Sequence, residues 1–148
     1  MSRSIRLTAL LGFLLLVLGV GLVLARNHQF EAGSRALKVE DYSTALRRLK
    51  PLASIGDSRA QYVLGEMYAL GLGVPEDDSK AIYWFRRAAI GSNGEADPAA
   101  AAELAVAKNY AQGIGVKVDA DQSLKWFHRA ADGGSKEAAA ELDKSHSR

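Results

Sequence analysis

Several groups of residues in this chain are of types and spacings that could do chemistry. Two glycine pairs, Gly71-Leu72-Gly73 and Gly113-Ile114-Gly115, have the look of a phosphate cradle. Such a cradle needs a third glycine, or a following Lys-Ser/Thr, after a strand. These pairs have neither and follow stretches with helical periodicity, so they read as turns. His28, His128 and His146 lie far apart and lack the i, i+4 spacing with which two imidazoles grip zinc, so they read as solvated. Asp119-Ala120-Asp121 lacks the glycine and the distal glutamate of a calcium loop, which leaves helix capping. There is no cysteine, which removes thiolate catalysis, thiolate metal sites and disulfides. The sequence therefore assigns no catalytic residue, metal, cofactor or small-molecule substrate, and the chain reads as a protein that is not an enzyme.

Charge narrows the partners. The 148 residues carry 19 Lys and Arg against 17 Asp and Glu, a formal +2. Removing residues 1–25 takes away Arg3 and Arg6 and no acid, leaving 17 of each sign. A neutral domain offers no concentrated basic field for a phosphate backbone, so nucleic acid is not expected. Arg47-Arg48-Lys50, Arg86-Arg87 and Arg129 recur at matching places. They read as a solvated outer stripe, with anionic lipid headgroups as the alternative facing surface.

Two larger features position these residues. Between Arg6 and Arg26 the only polar residue is Thr8. As a helix, Leu7–Ala25 spans roughly 28 Å, near the ~30 Å hydrocarbon core of a bilayer, and it has no polar face. The expectation is an uncleaved anchor over residues 1–26, with residues 7–25 in the membrane. Arg3, Arg6 and the amino terminus favour a cytoplasmic start, which puts the remaining domain on the periplasmic or extracytoplasmic side of an inner membrane. The alternative is a signal peptide cleaved after Ala25, for which Val23 and Ala25 sit suitably and Gly19 and Gly21 would loosen the helix. A soluble exported domain would result.

The second feature is self-similarity. A shift of 42 lays Leu64 on Val106, Tyr68 on Tyr110, Gly71 and Gly73 on Gly113 and Gly115, and Trp84-Phe85 on Trp126-Phe127. A shift of 36 lays Asp41, Ala45, Leu49 and Ala53 on Asp77, Ala81, Phe85 and Ala89. The difference is taken up by Ser92–Pro98. Periods of this size mark stacked supersecondary units. Each unit reads as two helices. Ala60, Leu64, Met67, Tyr68 and Gly71 share one arc at 100° per residue, with Gln61 and Glu66 outside it. Gly71-Leu-Gly-Val-Pro75 then ends the first helix, and Glu76-Asp77-Asp78 opens the second with carboxylates at its positive end. The recurring Trp-Phe pairs read as inter-helix core, with only one member of each deeply buried; a ligand surface is the alternative.

The stretch from Tyr68 through Gly71-Leu-Gly73-Val74 to Lys80-Ala81, Trp84-Phe85 and Ala88-Ala89 resembles the Sel-one-like repeat, a relative of the tetratricopeptide repeat. The second copy, Tyr110 to Ala131, is similar but has Gln122-Ser123 in place of Lys-Ala. The resemblance covers residues 30–142. It implies an all-α fold, a short solenoid of antiparallel helix pairs used to bind other proteins, and no catalytic residues. On this reading residues 29–56 are a degenerate half repeat, 57–92 and 98–134 are repeats, and 135–148 form a capping helix and tail. In the cap, Ala138 to Ala140 are expected to pack on the second repeat. The protein partner is expected on the first helices, at Tyr62 and Glu66 and at their equivalents Leu104 and Lys108. The opposing reading has Tyr62 and Leu104 packing against the adjacent repeat.

Overall fold

The computed structural model describes the backbone of residues 3–91 and 96–146 and the side chains of 10–91 and 98–145. Every regular element among them is a helix: α1 Arg3–Lys38, α2 Tyr42–Ser54, α3 Ser58–Ala69, α4 Asp78–Gly91, α5 Ala96–Gln112, α6 Ala120–Asp132 and α7 Lys136–His146. Side-chain oxygens set the helix starts by accepting from the otherwise unpaired N–H groups of the first turn. Asp41 takes Thr44 N at 3.1 Å, Asp57 takes Ala60 N at 3.2 Å, Asp77 takes Lys80 N at 2.9 Å and Asp119 takes Gln122 N at 2.9 Å. Ser135 does the same for Ala138 N in α7.

The helices pack most closely as the pairs α1/α2, α3/α4 and α5/α6, and α7 closes the row on α6. Neighbouring pairs join through α2/α3 and α4/α5. The first helices α3 and α5 also touch, with no contact of that extent between α4 and α6, so at this junction the row bends with the first helices inside. Two apolar clusters fill it. One joins Ala36, Ala45, Leu49, Leu52, Ala60, Leu64 and Met67; the other joins Phe85, Ala88, Ala102, Val106, Ala107 and Trp126. The abundance of alanine and glycine lets the helices approach closely. A Cβ on Gly65 would lie 2.5 Å from the Phe85 ring, so Phe85 fills the place where a side chain would stand.

The glycine pairs are turns with a packing role. Gly71 and Gly73, like Gly113 and Gly115, adopt φ between +64° and +74°, a region costly for residues with a Cβ. The loops close identically: Asp77 N donates to Tyr68 O at 2.9 Å and Asp119 N to Tyr110 O at 3.0 Å. Each loop then sits on the preceding repeat. A Cβ on Gly73 would strike Tyr42 at the start of α2, and one on Gly115 would strike the Asp78 carbonyl at the start of α4.

α1 is one helix of 36 residues that runs through Gly19, Gly21 and Arg26. Its C-terminal third is held by α2, with Gly33 under Leu49, Ala36 buried and Arg48 donating to Gln29 at 2.7 Å. Gln61, expected outside the core arc, is buried; its amide donates to Ala53 O at 2.9 Å and so ties α3 to α2. In α7 only Ala138 of the three alanines is buried, together with Leu142, because helical periodicity turns Ala139 and Ala140 to solvent.

Candidate interaction surface

The four residues expected to meet a partner fall on the first helices, but not on open surface. Tyr62 and Glu66 are one turn apart on α3, as Leu104 and Lys108 are on α5, and all four are half-buried. Tyr62 packs its ring on Phe85, with centroids 5.6 Å apart, and joins the second apolar cluster. Lys108 reaches across to α7 and pairs with Glu137 at 2.6 Å. Tyr62 therefore lies in the seam with α5 and Lys108 in the seam with α7. Burial, followed by the charge of Glu66 and a hydrogen bond to it, pushes the Tyr62 hydroxyl up to about 12. Burial also raises Glu66, opposed by the hydrogen bond that Tyr62 gives it.

The aromatic pairs divide between core and surface differently in the two repeats. Phe85 is buried and Trp84 half-buried in the first, whereas Trp126 is buried and Phe127 half-buried in the second. Phe85 and Trp126 share the second apolar cluster, on which Phe127 packs, while Trp84 packs on the first.

The outer basic stripe is partly engaged within the molecule. Arg129 pairs with the buried Glu103 at 2.8 Å and lies 4.5 Å from the Trp126 ring centroid, so it braces α6 on α5. Arg48 is tied to Gln29, and Arg87 donates to the Tyr83 hydroxyl at 2.9 Å. Arg47, Lys50 and Arg86 are exposed.

Sequence inspection missed one polar cluster. Asp57, with its side chain only 2% exposed, caps α3, pairs with Arg59 at 2.9 Å and meets Arg26 of α1 at 3.5 Å. Arg59 also donates to Asn27 at 3.0 Å and covers the Phe30 ring at 4.5 Å. Burial pushes the Asp57 carboxyl up. The hydrogen bonds from Arg59 and Ala60, with the charges of Arg59 and Arg26, overcome this and hold it below the ordinary value. The Asp-x-Arg spacing was the one available signal, and it does not repeat at Ala99 and Ala101.

His28 and His128 are exposed, and the side chain of His146 lies outside the described residues. Among the described residues no group of three or more His, Cys, Asp or Glu is placed to hold a metal ion. The stretch Leu10–Lys38 is long and apolar enough to cross a membrane, and its most apolar window is wholly uncovered by the rest of the chain.

A family model for the Sel1 repeat matches residues 58–93 and 98–135. No curated protein matches the chain significantly. Among solved structures, a Sel1 repeat protein from Oxalobacter formigenes superposes with TM-score 0.70 at 32% identity, over 80% of this chain and 88% of that one. The c5321 protein, a protective antigen of uropathogenic Escherichia coli strains with an SLR fold, gives 0.69 at 32% identity over 76% of this chain and 24% of its own. The Helicobacter pylori cysteine rich protein B gives 0.60 at 17% identity, over 78% of this chain and 93% of that one, a likeness of fold alone. With two matched repeats, the glycine loops that stack them and a fold shared with such proteins, the chain belongs to the Sel1 repeat family.

Proposed function

We propose that this chain is a non-catalytic adaptor that binds another protein along its first helices and is tethered to a membrane by α1. The observation that carries the reading is the seam on the inner side of the bend, where Tyr62, Glu66, Leu104 and Lys108 stand half-exposed on consecutive first helices. Stacked helix pairs present an extended inner surface, and interfaces draw most of their affinity from a few aromatic and apolar anchors amid tolerant contacts. Here Tyr62 and Leu104 are the anchors, while Glu66 and Lys108 supply opposite charges. The working parts are an anchor over residues 1–26, a half repeat over 29–56, repeats over 57–92 and 98–134, and a cap over 135–148.

The membrane reading rests on the uncovered apolar length of α1 and on its lack of any break before the solenoid. The basic residues before the span favour a single-pass protein in the inner membrane, with the solenoid on the periplasmic side. Fractionation with N-terminal sequencing tests this: retention in carbonate-washed membranes with residues 1–25 present is expected, and a chain beginning at Arg26 would overturn it. The binding surface is tested by Glu66→Ala combined with Lys108→Ala. The Lys108–Glu137 pair is exposed and worth at most about 1 kcal/mol, and the Tyr62–Glu66 hydrogen bond about 1 kcal/mol, so helicity should hold and melting fall only slightly while affinity for a cross-linked partner is lost. Unchanged affinity would overturn the assignment.

A further inference from the structure

The continuity of α1 with the solenoid fixes the height of one edge of the domain above the bilayer. α2 runs antiparallel to α1, from Leu49 beside Gly33 down to Leu52 and Ile55, which share a groove with Leu22, Val23 and Ala25. The α2–α3 turn ends level with Arg26, since Asp57 reaches that guanidinium at 3.5 Å. The apolar run of α1 ends at Ala25. The polar layer beyond the hydrocarbon is only roughly 5–8 Å deep on each side, so a turn level with Arg26 lies within it. Yet the residue at the tip of this turn is an isoleucine 74% exposed, Ile55.

The next repeat continues the same edge. A Cβ on Gly91 would lie 4.0 Å from the Gly56 carbonyl oxygen, so the end of α4 abuts the α2–α3 turn. There the chain exposes a second isoleucine, Ile90, at 67%. Above these two residues the C-terminal halves of α2 and α4 carry exposed Lys50 and Arg86. The opposite edge, where those helices begin, carries exposed Glu40, Asp41 and Glu76 beside exposed Lys38, Val39 and Leu70. In the following repeat, farther from α1, the position equivalent to Ile90 is Asp132. Apolar tips below basic residues, on the edge nearest the anchor, match the two demands of an interfacial lipid contact: apolar insertion and attraction to anionic headgroups.

We propose that the edge formed by the α2–α3 turn and the end of α4 rests in the headgroup layer of the membrane, with Ile55 and Ile90 inserted and Lys50 and Arg86 facing anionic lipid. This rests on the reading of α1 as a membrane span. It fixes the solenoid's orientation: the acidic edge points away from the bilayer, and the first-helix seam opens sideways, parallel to the membrane.

The absence of cysteine makes the test direct. Single variants Leu16→Cys, Ile55→Cys, Ile90→Cys and Glu76→Cys of the full chain are nitroxide-labelled and reconstituted into vesicles of phosphatidylethanolamine and phosphatidylglycerol. Collision with oxygen, which concentrates in lipid, is compared with collision with a water-soluble nickel chelate. Circular dichroism is expected to match the parent for all four, since these side chains are exposed. Labels at 16, 55 and 90 should favour oxygen, and the label at 76 should favour nickel. Labels at 55 and 90 that behave like 76 while 16 stays in lipid would overturn the proposal and leave the anchor intact. Labels at 55 and 90 shielded from both probes would show a protein contact instead and also overturn it. A label at 16 in water would overturn the anchor and, with it, this orientation.

Discussion

Replacing Asp57 probes the joint between the apolar helix and the repeats more sharply than any core substitution. Its carboxylate does two jobs: one oxygen caps α3 through Ala60 N at 3.2 Å and accepts from Arg59 Nε at 3.2 Å, and the other meets Arg59 at 2.9 Å and Arg26 at 3.5 Å. Losing an N-cap costs about 1 kcal/mol. A hydrogen bond to a charged group contributes about 1.5–3 kcal/mol. The Arg26 contact counts for little, because that side chain is 44% exposed and screened, and Arg59 is 28% exposed and keeps its bond to Asn27. Asp57→Ala should therefore lose about 2–4 kcal/mol, and Asp57→Asn, which keeps the capping oxygen but not the charge, about 1–2 kcal/mol. At ~4 °C per kcal/mol for a helical unit of this size, thermal melts of the full chain in detergent should fall by roughly 8–16 °C and 4–8 °C. The sign of the pH effect follows from the lowered folded pKa. The charge contributes fully above the ordinary carboxylate value of 3.8 and is lost as pH falls through the folded value. The gap between parent and Asp57→Asn should accordingly close in acid. An Asp57→Ala protein that melts with the parent would refute the reasoning, as would a gap that widens in acid.

Other substitutions separate packing from propensity. Gly65→Ala drives a methyl into the Phe85 ring and should cost about 1–3 kcal/mol, whereas Gly21→Ala, with nothing within 4 Å, should not destabilise. Adding Phe85→Leu to Gly65→Ala should recover part of that loss, as urea unfolding will show. Trp126→Ala should cost about 3–5 kcal/mol and Trp84→Ala less, because only the first is buried. Tryptophan emission in the single-Trp variants should be bluer from Trp126 than from Trp84. Deleting residues 134–148 removes the buried Ala138 and Leu142 and should lower the melting temperature; an unchanged melt would make α7 a free tail.

The repeat architecture was legible because it is written twice. The glycine pairs recur 42 residues apart, and each must turn and then lie against the start of the preceding second helix, a demand only a residue without a Cβ meets. What occurs once was not legible. Asp57 draws Arg26 from 31 positions away, and nothing local in the sequence marks that pairing. That the apolar segment and the start of the half repeat share one helix was not legible either: no residue from Arg26 to Lys38 stops a helix, and the face with Gln29, Gly33 and Ala36 gains by packing on α2. Which member of each Trp-Phe pair is buried differs between the repeats, Phe85 in the first and Trp126 in the second, and so is not a property of the motif. Tyr62 and Glu66 were legible as a pair on one face of α3, but the Phe85 ring beneath Tyr62 is a tertiary fact.

Site-specific photo-cross-linking in the native membrane tests the claim of a protein-binding inner surface most directly. A photoreactive phenylalanine at position 66 or 108 sits on the first-helix seam, and one at position 83 sits on the exposed outer face of α4. Light should yield a discrete adduct of higher mass from 66 and 108, the same protein in both, and none from 83. No adduct from 66 and 108, or the same adduct from 83 alone, would contradict the account.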